Sequence, residues 1–250
     1  MTMNTTQFID ALRFRLFWLK YGVAFARTAQ LKVRKVRIGN KTVRLSLPGG
    51  EEKVMNYEFQ NIFYDDCYGL RKVEGEAKSV LDVGGNLGFF SLAARDRFPG
   101  ARIHSYEPNP LLQPHLLNNT RTLDIKVHPE AVGGREGWID MTTNGSSLLG
   151  RTVASETGKI KMTAIATALE RIGGSVDLMK LDCEGAEWEL FEHGDIWKKI
   201  RRLTMEYHLW ARPGLDVPEM VSLIRGVGFR ITHLSEAREL KWGVLHAVRN

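Results

Sequence analysis

Residues 79–90 read Ser-Val-Leu-Asp-Val-Gly-Gly-Asn-Leu-Gly-Phe-Phe, and residues 103–109 read Ile-His-Ser-Tyr-Glu-Pro-Asn. An apolar strand, a glycine-rich turn, a helix and a second strand are the pattern of a βαβ unit. Gly84 and Gly85 lack a Cβ, so the backbone can turn sharply and approach a ligand closely. Glu107 follows Gly84 by 23 positions, close to the spacing of about 20 at which a carboxylate reaches ribose hydroxyls. The unit therefore predicts a site for an adenosine-containing cofactor.

The turn has the pattern Asp-x-Gly-x-Asn-x-Gly, which runs from Asp82 to Gly88 with Asn86 in the middle. An acid at the strand tip repels a pyrophosphate but suits a cationic or zwitterionic ligand. S-adenosylmethionine is such a ligand, because it carries a sulfonium and an amino group beside its adenosine. Gly88 is expected to let the helix pack closely on the strand. A βαβ unit whose glycines serve only packing is the alternative.

A second segment, Val-Asp-Leu-Met-Lys-Leu-Asp-Cys-Glu-Gly-Ala-Glu-Trp at 176–188, predicts another strand with an acidic tip and a helix start. Together with the first motif, it resembles the FkbM family of S-adenosylmethionine-dependent methyltransferases. The Lys-x-Asp-x-Glu-Gly-Ala-Glu-Trp run points to this family, whereas the two glycine motifs are typical of class I methyltransferases in general. The resemblance extends from about residue 54 to residue 248, and its matching segments are 80–90, 106–109, 128–133, 145–148, 177–188 and 205–208.

The resemblance implies an O-methyltransferase that acts on a hydroxyl of a sugar, glycolipid or other small natural product. It also implies an α/β fold, a Rossmann-like class I methyltransferase sheet that is mostly parallel and has an antiparallel last strand. We predict that Glu107 holds the ribose, that the amino-acid end of S-adenosylmethionine lies near Asp82, and that the adenine lies near Glu130. The predicted cofactor-binding residues are Asp82, Gly84, Gly85, Asn86, Gly88, Glu107, Pro108, Glu130, Ala131 and Asp182.

Methyl transfer to a hydroxyl needs a base, because an alcohol is a poor nucleophile unless its proton leaves as the new bond forms. The tips of two central strands offer Asp182 on one and Glu206 and His208 on the other. We predict these three as catalytic residues. His208 is the predicted base, since an imidazole has an ordinary pKa of about 6.5. Asp182 is expected to orient it, to contact the cofactor or to bind a metal with Glu206. No metal site is predicted, although such acids with an imidazole are also a ligand set for a divalent metal.

Strand-like and helix-like stretches alternate beyond residue 54, which predicts a parallel sheet with helices on both faces. Residues 235–240 are too few for a crossover helix, so the last two strands are expected to be antiparallel. Strands are expected near 79–83, 102–107, 125–128, 176–182, 202–207, 229–234 and 242–248, and helices near 88–97, 110–121, 164–171, 187–193 and 216–226.

The composition fits one α/β enzyme domain: the chain has 250 residues, of which 43% are hydrophobic and 26% charged. Cys67 and Cys183 form neither a disulfide framework nor a metal-ligand spacing. We therefore expect a reducing, cytoplasmic location, with membrane association as an open alternative.

The net charge of +6 is unevenly distributed. Residues 1–44 hold ten Lys or Arg and one acid, a charge of +9, so the remaining residues sum to −3. We therefore divide the chain into a basic N-terminal arm, 1–53, and a methyltransferase domain, 54–250. Because the excess charge belongs to the arm, the overall basicity is a weak argument for nucleic acid as a partner.

The arm is expected to form a helix over 7–28 and a hairpin around Gly39-Asn40, with strands at 31–38 and 41–47. The helix has two apolar faces with basic residues between them. It is expected either to lie in a membrane interface, with its basic residues on anionic lipid, or to pack on its own domain or a partner subunit. Its near-apolar stretch is too short to span a membrane. A helix near 54–63 follows, and then a loop in which Tyr64 and Tyr68 either line the cofactor or pack as core aromatics.

Three other functions stay open. An RNA 2′-O-methyltransferase would suit the basic arm, but Glu206 stands where a second lysine would be wanted and no RNA-binding module is recognisable. A nicotinamide dehydrogenase is disfavoured by Asp82 and Asn86, and a non-catalytic, membrane-associated scaffold by the intact acids. The stretch 133–159, rich in Gly, Ser and Thr, is expected to be irregular and to serve as a lid. The acceptor and the oligomeric state are not predicted.

Overall fold

The computed structural model describes residues 5–23, 34–143, 150–154, 157–235 and 241–249. The strands are β1 (Lys35–Ile38), β2 (Lys41–Arg44), β3 (Ser79–Val83), β4 (Arg102–Tyr106), β5 (Ile125–His128), β6 (Ala131–Gly133), β7 (Gly137–Thr143), β8 (Gly150–Ala154), β9 (Ile160–Ala164), β10 (Leu178–Leu181), β11 (Arg202–His208), β12 (Phe229–Leu234) and β13 (Trp242–Arg249). The α-helices are α1 (Thr5–Lys20), α2 (Glu52–Phe63), α3 (Phe89–Arg97), α4 (Gln113–Thr120), α5 (Ile165–Arg171), α6 (Glu187–Leu190) and α7 (Val217–Gly226).

Seven strands form the central sheet, in the order β12-β13-β11-β10-β3-β4-β5. The pairs from β11 to β5 are parallel, whereas β13 is antiparallel to both of its neighbours. The predicted fold class is therefore confirmed. The reversed strand is last in the chain but lies second from the edge of the sheet, between β11 and β12.

The central strands are buried along their whole length. Every residue of β3 and β10 is buried, whereas the edge strand β12 is mostly half-buried or exposed. Near-continuous apolar runs are what a parallel strand covered on both faces requires. Two hydrophobic clusters include residues of these strands, one around Phe59, Phe89 and Leu92, the other around Trp197, Leu181 and Met205.

The stretch 133–159 was expected to be irregular, and this expectation was wrong for its described residues. Strands β6 to β9 form a second sheet in the order β6-β9-β7-β8. A Cβ on Gly158 would lie 2.6 Å from the backbone of Ile139, so this glycine permits close packing against a neighbouring strand. The Gly, Ser and Thr content predicted a loop, but glycine also occurs where two backbones approach each other closely in a sheet. Residues 144–149 and 155–156, which include the 145–148 motif, lie outside the described residues, and the lid remains a prediction.

The arm contributes to the main hydrophobic core. Helix α1 ends at Lys20, earlier than predicted, and residues 24–33 lie outside the described part. The predicted hairpin is confirmed, with Ile38 paired to Lys41 around the turn. Trp18 is fully buried and its ring stacks on Phe59 of α2, with 5.4 Å between the ring centroids. One face of α1 therefore packs on the chain's own domain, and the boundary at residue 53 stays a prediction.

Among the helices that the structure describes, none has the length and apolar character needed to cross a bilayer.

Candidate active site

A cavity of about 500 Å³ lies at the carboxyl ends of β3, β4 and β10, which is where ligands bind in open α/β sheets. Six of the ten predicted cofactor residues line it: Gly84, Asn86, Glu107, Pro108, Ala131 and Asp182. The other four, Asp82, Gly85, Gly88 and Glu130, are not among the described lining residues. The structure thus brings most, but not all, of the predicted set together.

Glu107 presents a buried carboxylate to this cavity. Its two oxygens accept hydrogen bonds from the backbone N–H groups of Asn86, at 2.7 Å, and Asn109, at 2.8 Å. Burial raises the pKa of Glu107 to about 7, although these hydrogen bonds act in the opposite direction. Asn86 adopts a left-handed conformation, with φ of 48°, and its buried side-chain oxygen has no hydrogen-bond partner among the described residues. Both side chains therefore offer acceptors to a ligand.

Asp82 lies beneath the cavity wall. It is fully buried and accepts hydrogen bonds from the hydroxyls of Ser91, at 2.6 Å, and Ser105, at 3.2 Å. Burial raises its pKa, while Lys180, whose Nζ lies 3.7 Å from Oδ1, works against that rise. Asp82 therefore joins the tip of β3 to α3, β4 and β10. It does not line the cavity, and its predicted contact with the cofactor stays a prediction.

The glycines of the turn are required mainly by packing. A Cβ on Gly84, whose φ is 81°, would lie 1.7 Å from the carbonyl oxygen of Asp182, and one on Gly85 would lie 2.2 Å from Oγ of Ser105. A Cβ on Gly88 would lie 2.8 Å from the side chain of Leu116. Gly88 therefore allows close packing against α4, and not against the strand as expected. The turn can thus fit between two neighbouring strand tips only because these positions lack a side chain.

The carboxylate of Glu130 pairs with two cationic side chains. Its carboxylate accepts from Arg171 at 2.7 Å and lies 3.4 Å from Nζ of Lys161. Partial burial would raise its pKa, but these two cations lower it. Of the two predicted residues at this segment, Ala131 lines the cavity and Glu130 does not, and the contact with the adenine stays a prediction.

Asp182 stands on the cavity wall with fixed partners. Its Oδ2 lies 3.1 Å from Nζ of the buried Lys180 and accepts a hydrogen bond of 3.0 Å from the hydroxyl of Tyr68. Although burial opposes it, Lys180 and His208 lower the pKa of Asp182. Of the two loop tyrosines, Tyr68 reaches this site, whereas Tyr64 packs against Phe14 of α1, with ring centroids 4.7 Å apart.

His208 is held by a carboxylate that the sequence reasoning missed. His208 is 4% exposed, and its Nδ1 lies 2.7 Å from Oε1 of the fully buried Glu187. The same oxygen accepts the backbone N–H of His208 at 3.0 Å, and Nε1 of Trp188 donates to the backbone carbonyl of His208 at 2.9 Å. The orienting partner is thus Glu187 and not Asp182, and adjacent residues of the Gly-Ala-Glu-Trp run provide both contacts.

The other ring nitrogen of His208 faces more acids. Nε2 lies 3.5 Å from Oε1 of Glu206 and 3.7 Å from Oε2 of Glu184. Burial alone would lower the pKa of His208, but the carboxylates of Glu187 and Glu206 raise it to about 11. Burial and repulsion from Asp182 raise the pKa of Glu184 to about 7. The site is therefore rich in negative charge and holds a proton tightly.

Asp182, Glu184 and His208 each offer one donor atom, and these atoms lie within 4.8 Å of one another. Carboxylate oxygens and an imidazole nitrogen are ligands that divalent cations accept. The side chain of Glu206 is partly buried, and burial together with Asp182 raises its pKa. The predicted catalytic residues Asp182, Glu206 and His208 are thus brought together beside the cavity.

Known methyltransferases are similar to this chain over most of its length. The model of the methyltransferase FkbM domain matches residues 82–231. Methyltransferase sdnD of Sordaria araneosa is 27% identical over 218 residues, covering 70% of this chain and 82% of that protein. The 31-O-demethyl-FK506 methyltransferase FkbM of Streptomyces tacrolimicus is 26% identical over 246 residues, covering 80% and 90%.

A solved structure, fibrillarin of Aeropyrum pernix in complex with natively bound S-adenosyl-L-methionine, superposes with a TM-score of 0.52. It is 14% identical and covers 92% of this chain and 87% of its own, so it shows a shared fold. The family model covers more than half of the chain, including both glycine motifs and the His208 segment. The chain therefore belongs to the FkbM family of S-adenosylmethionine-dependent methyltransferases.

Proposed function

We propose that the protein methylates a hydroxyl oxygen of a small natural product, sugar or glycolipid. The observation that carries this proposal is the His208–Glu187 pair beside the cavity wall formed by Asp182 and Glu184. A base is what a hydroxyl acceptor requires. The relative named 31-O-demethyl-FK506 methyltransferase acts, by that name, on an oxygen of a natural product, which supports the same class of acceptor. The free cysteines Cys67 and Cys183 support a reducing, cytoplasmic setting.

The residues of the cavity fit S-adenosylmethionine. Glu107 and the unpartnered side-chain oxygen of Asn86 can accept hydrogen bonds from hydroxyl or amino groups. The acidic wall at Asp182 and Glu184 suits a ligand with positive charge. When bound, S-adenosylmethionine supplies the methyl group of its sulfonium, and the acceptor oxygen bonds to the methyl carbon as the carbon–sulfur bond breaks. Glu107 would hold the ribose, and Asp182 would lie toward the charged end.

His208 has the geometry of an oriented base. With Nδ1–H donating a hydrogen bond to Oε1 of Glu187, Nε2 is the nitrogen left to take the hydroxyl proton of the acceptor. Glu206, at 3.5 Å from Nε2, then stabilises the imidazolium that forms. We assign His208 the role of base, Glu187 the role of positioning residue and Glu206 an electrostatic role.

The pKa of about 11 at His208 means that the imidazole is protonated near neutrality while the surrounding carboxylates are charged. A cationic ligand beside Asp182 offsets part of that negative charge and lowers the pKa of His208. The base form is therefore expected to become available in the complex with cofactor. Because the pKa of His208 depends on this positive charge, His208 would keep its proton until the cofactor is bound.

The test is product analysis with S-adenosylmethionine labelled at its methyl group. The full-length protein is incubated with a panel of hydroxylated natural products, sugars and glycolipids, and in parallel with total RNA. We expect label in a small hydroxylated acceptor, at an oxygen that is no longer available for acetylation. Label confined to RNA ribose would replace the proposal with the RNA 2′-O-methyltransferase. Label on nitrogen or carbon would remove the assignment of an oxygen acceptor.

A further inference from the structure

Helix α1 carries an apolar stripe that the rest of the described chain leaves uncovered. Phe8, Leu12, Leu16 and Leu19 are between 46% and 61% exposed, and Ile9 is 43% exposed. At about 100° per residue, these five side chains occupy roughly one 100° sector of the helix. They make up half of the large, exposed hydrophobic side chains among the described residues.

The opposite face of α1 is fixed on the protein. Trp18 is fully buried against Phe59, and Phe17 packs on Tyr21 and Tyr64 with centroid distances of 5.2 and 5.1 Å. The helix therefore cannot turn its exposed stripe inward without removing Trp18 from the core. An exposed stripe on an anchored helix is a docking surface and not a loosely packed core element.

Basic residues border the stripe on both sides. On the same angular scale, Arg15 lies just beyond one edge, and Lys20 and Arg13 lie just beyond the other. All three side chains are exposed. Lys20 also pairs with Asp96, at 3.2 Å. An apolar sector with cations at both edges is the pattern of a helix that lies in a lipid headgroup zone, with cations on lipid phosphates.

The neighbouring hairpin extends the positive charge. The guanidinium of Arg37 donates to the backbone carbonyl of Lys20 at 3.0 Å from Nε, so β1 begins beside the end of α1. Across the two strands Lys35 pairs directly with Arg44, and both are exposed. Like charges at paired positions destabilise a hairpin on its own, but they suit an anionic surface laid against it.

We propose that α1 and the hairpin bind the surface of an anionic membrane, with the five-residue stripe inserted among the lipids. The charge argument selects this occupant over a second copy of the chain, because two copies would bring two basic arms together. The inference goes beyond the proposed function, since it holds whatever the acceptor is.

Vesicle flotation of the full-length protein tests this. Vesicles of phosphatidylcholine alone are compared with vesicles that also contain phosphatidylglycerol, at low and high salt. We expect binding to the anionic vesicles that weakens about tenfold or more when salt screens the basic residues. Leu12→Ser with Leu16→Ser should weaken it by a further factor of about ten or more, because each leucine loses its transfer into lipid.

Matched controls separate lipid binding from general effects. Leu117→Ser removes another exposed leucine, on α4, and should bind like the wild type. Arg13→Glu with Arg15→Glu should abolish binding, whereas Arg225→Glu with Arg230→Glu, an equal change of charge elsewhere, should retain most of it. Equal binding by wild type and the Leu12/Leu16 variant would overturn the proposal. The proposal would also be overturned if the wild type did not bind vesicles but formed a dimer that the Leu12/Leu16 substitutions dissociate.

Discussion

At the scale of single residues, His208 is expected to decide turnover. His208→Asn removes the only nitrogen of this side chain that faces Glu184 and Glu206, while the cavity residues around Glu107 are untouched. We expect turnover to fall by about 10²- to 10⁴-fold, the usual contribution of a general base, with the affinity for S-adenosylhomocysteine nearly unchanged. Calorimetry and initial rates on the identified acceptor measure the two effects separately.

His115→Ala is a control for this experiment, because His115 bonds the hydroxyl of Ser46 away from the cavity. Wild-type turnover should also rise with pH through neutrality, since His208 must lose a proton held with a raised pKa. A flat profile together with a His208→Asn rate within a few-fold of the wild type would exclude the base role. Loss of turnover with a chelator, restored by magnesium, would instead assign Asp182, Glu184 and His208 to a metal.

Glu107 and Glu130 form a matched pair for the cofactor site. Both were predicted to contact S-adenosylmethionine, but only Glu107 lines the cavity, while Glu130 is paired with Arg171. Glu107→Ala should weaken S-adenosylhomocysteine binding by about 1.5–3 kcal/mol, the scale of a hydrogen bond to a charged group. Glu130→Ala should leave the affinity within about twofold. Calorimetry that ranks the two variants the other way would place the ribose elsewhere.

At the scale of elements, the turn after β3 requires glycine at position 84, because the backbone that follows β10 leaves no room for a side chain there. Gly84→Ala places a Cβ 1.7 Å from the carbonyl oxygen of Asp182 at a φ of 81°. Overpacking and the left-handed conformation together should lower the free energy of unfolding by more than about 2 kcal/mol. Gly100→Ala, where an added Cβ meets nothing within 4 Å, should be close to neutral. Urea unfolding of both variants checks this, and equal stabilities would contradict it.

The elements themselves were largely predictable, because their signals are local. The apolar runs of β3 and β10 and the Gly39-Asn40 turn predict strands and a hairpin from neighbouring residues alone. The second sheet was missed because β9 pairs with β6 and β7, and not with β8, the strand that precedes it in the chain. Glu187 was missed for a similar reason: its partner His208 lies 21 residues away and on another strand. The sequence identified Asp182 and Glu206 as acids of the site but not Glu187, which meets the imidazole.

At the scale of the whole molecule, the arm and the domain share one core. Trp18, Val36 and Val43 of the arm belong to the same hydrophobic cluster as Phe59 and Leu92. The charge asymmetry suggested a separable arm, since charge is read from the sequence without knowing what each apolar face contacts. Of the two roles expected for the helix, packing on its own domain is seen in the structure, through Phe17 and Trp18. The exposed stripe is left for the membrane contact that we propose.

The acidic site should make the whole protein less stable as pH rises. Glu58 of α2 interacts with the charges of Asp182 and Glu206, and burial raises its pKa to about 8. Burial raises the pKa of Glu107 to about 7. Both groups ordinarily have a pKa of 4.5, so the folded state binds these protons more tightly than the unfolded state. The stability that this provides is fully present below about pH 4.5 and is lost as pH rises through 7 and 8. His208, raised to about 11 from 6.5, acts in the same direction at higher pH.

We therefore expect the free energy of unfolding of the ligand-free protein to decrease from pH 5.5 to pH 8.5, as measured by urea unfolding. Glu58→Gln should flatten this decrease, because an amide does not titrate, whereas Glu74→Gln, at an exposed position, should not. A stability that rises over this range would mean that the carboxyls keep ordinary pKa values in the folded state. Bound S-adenosylmethionine should also flatten it, since a cation beside Asp182 favours the charged form of these acids.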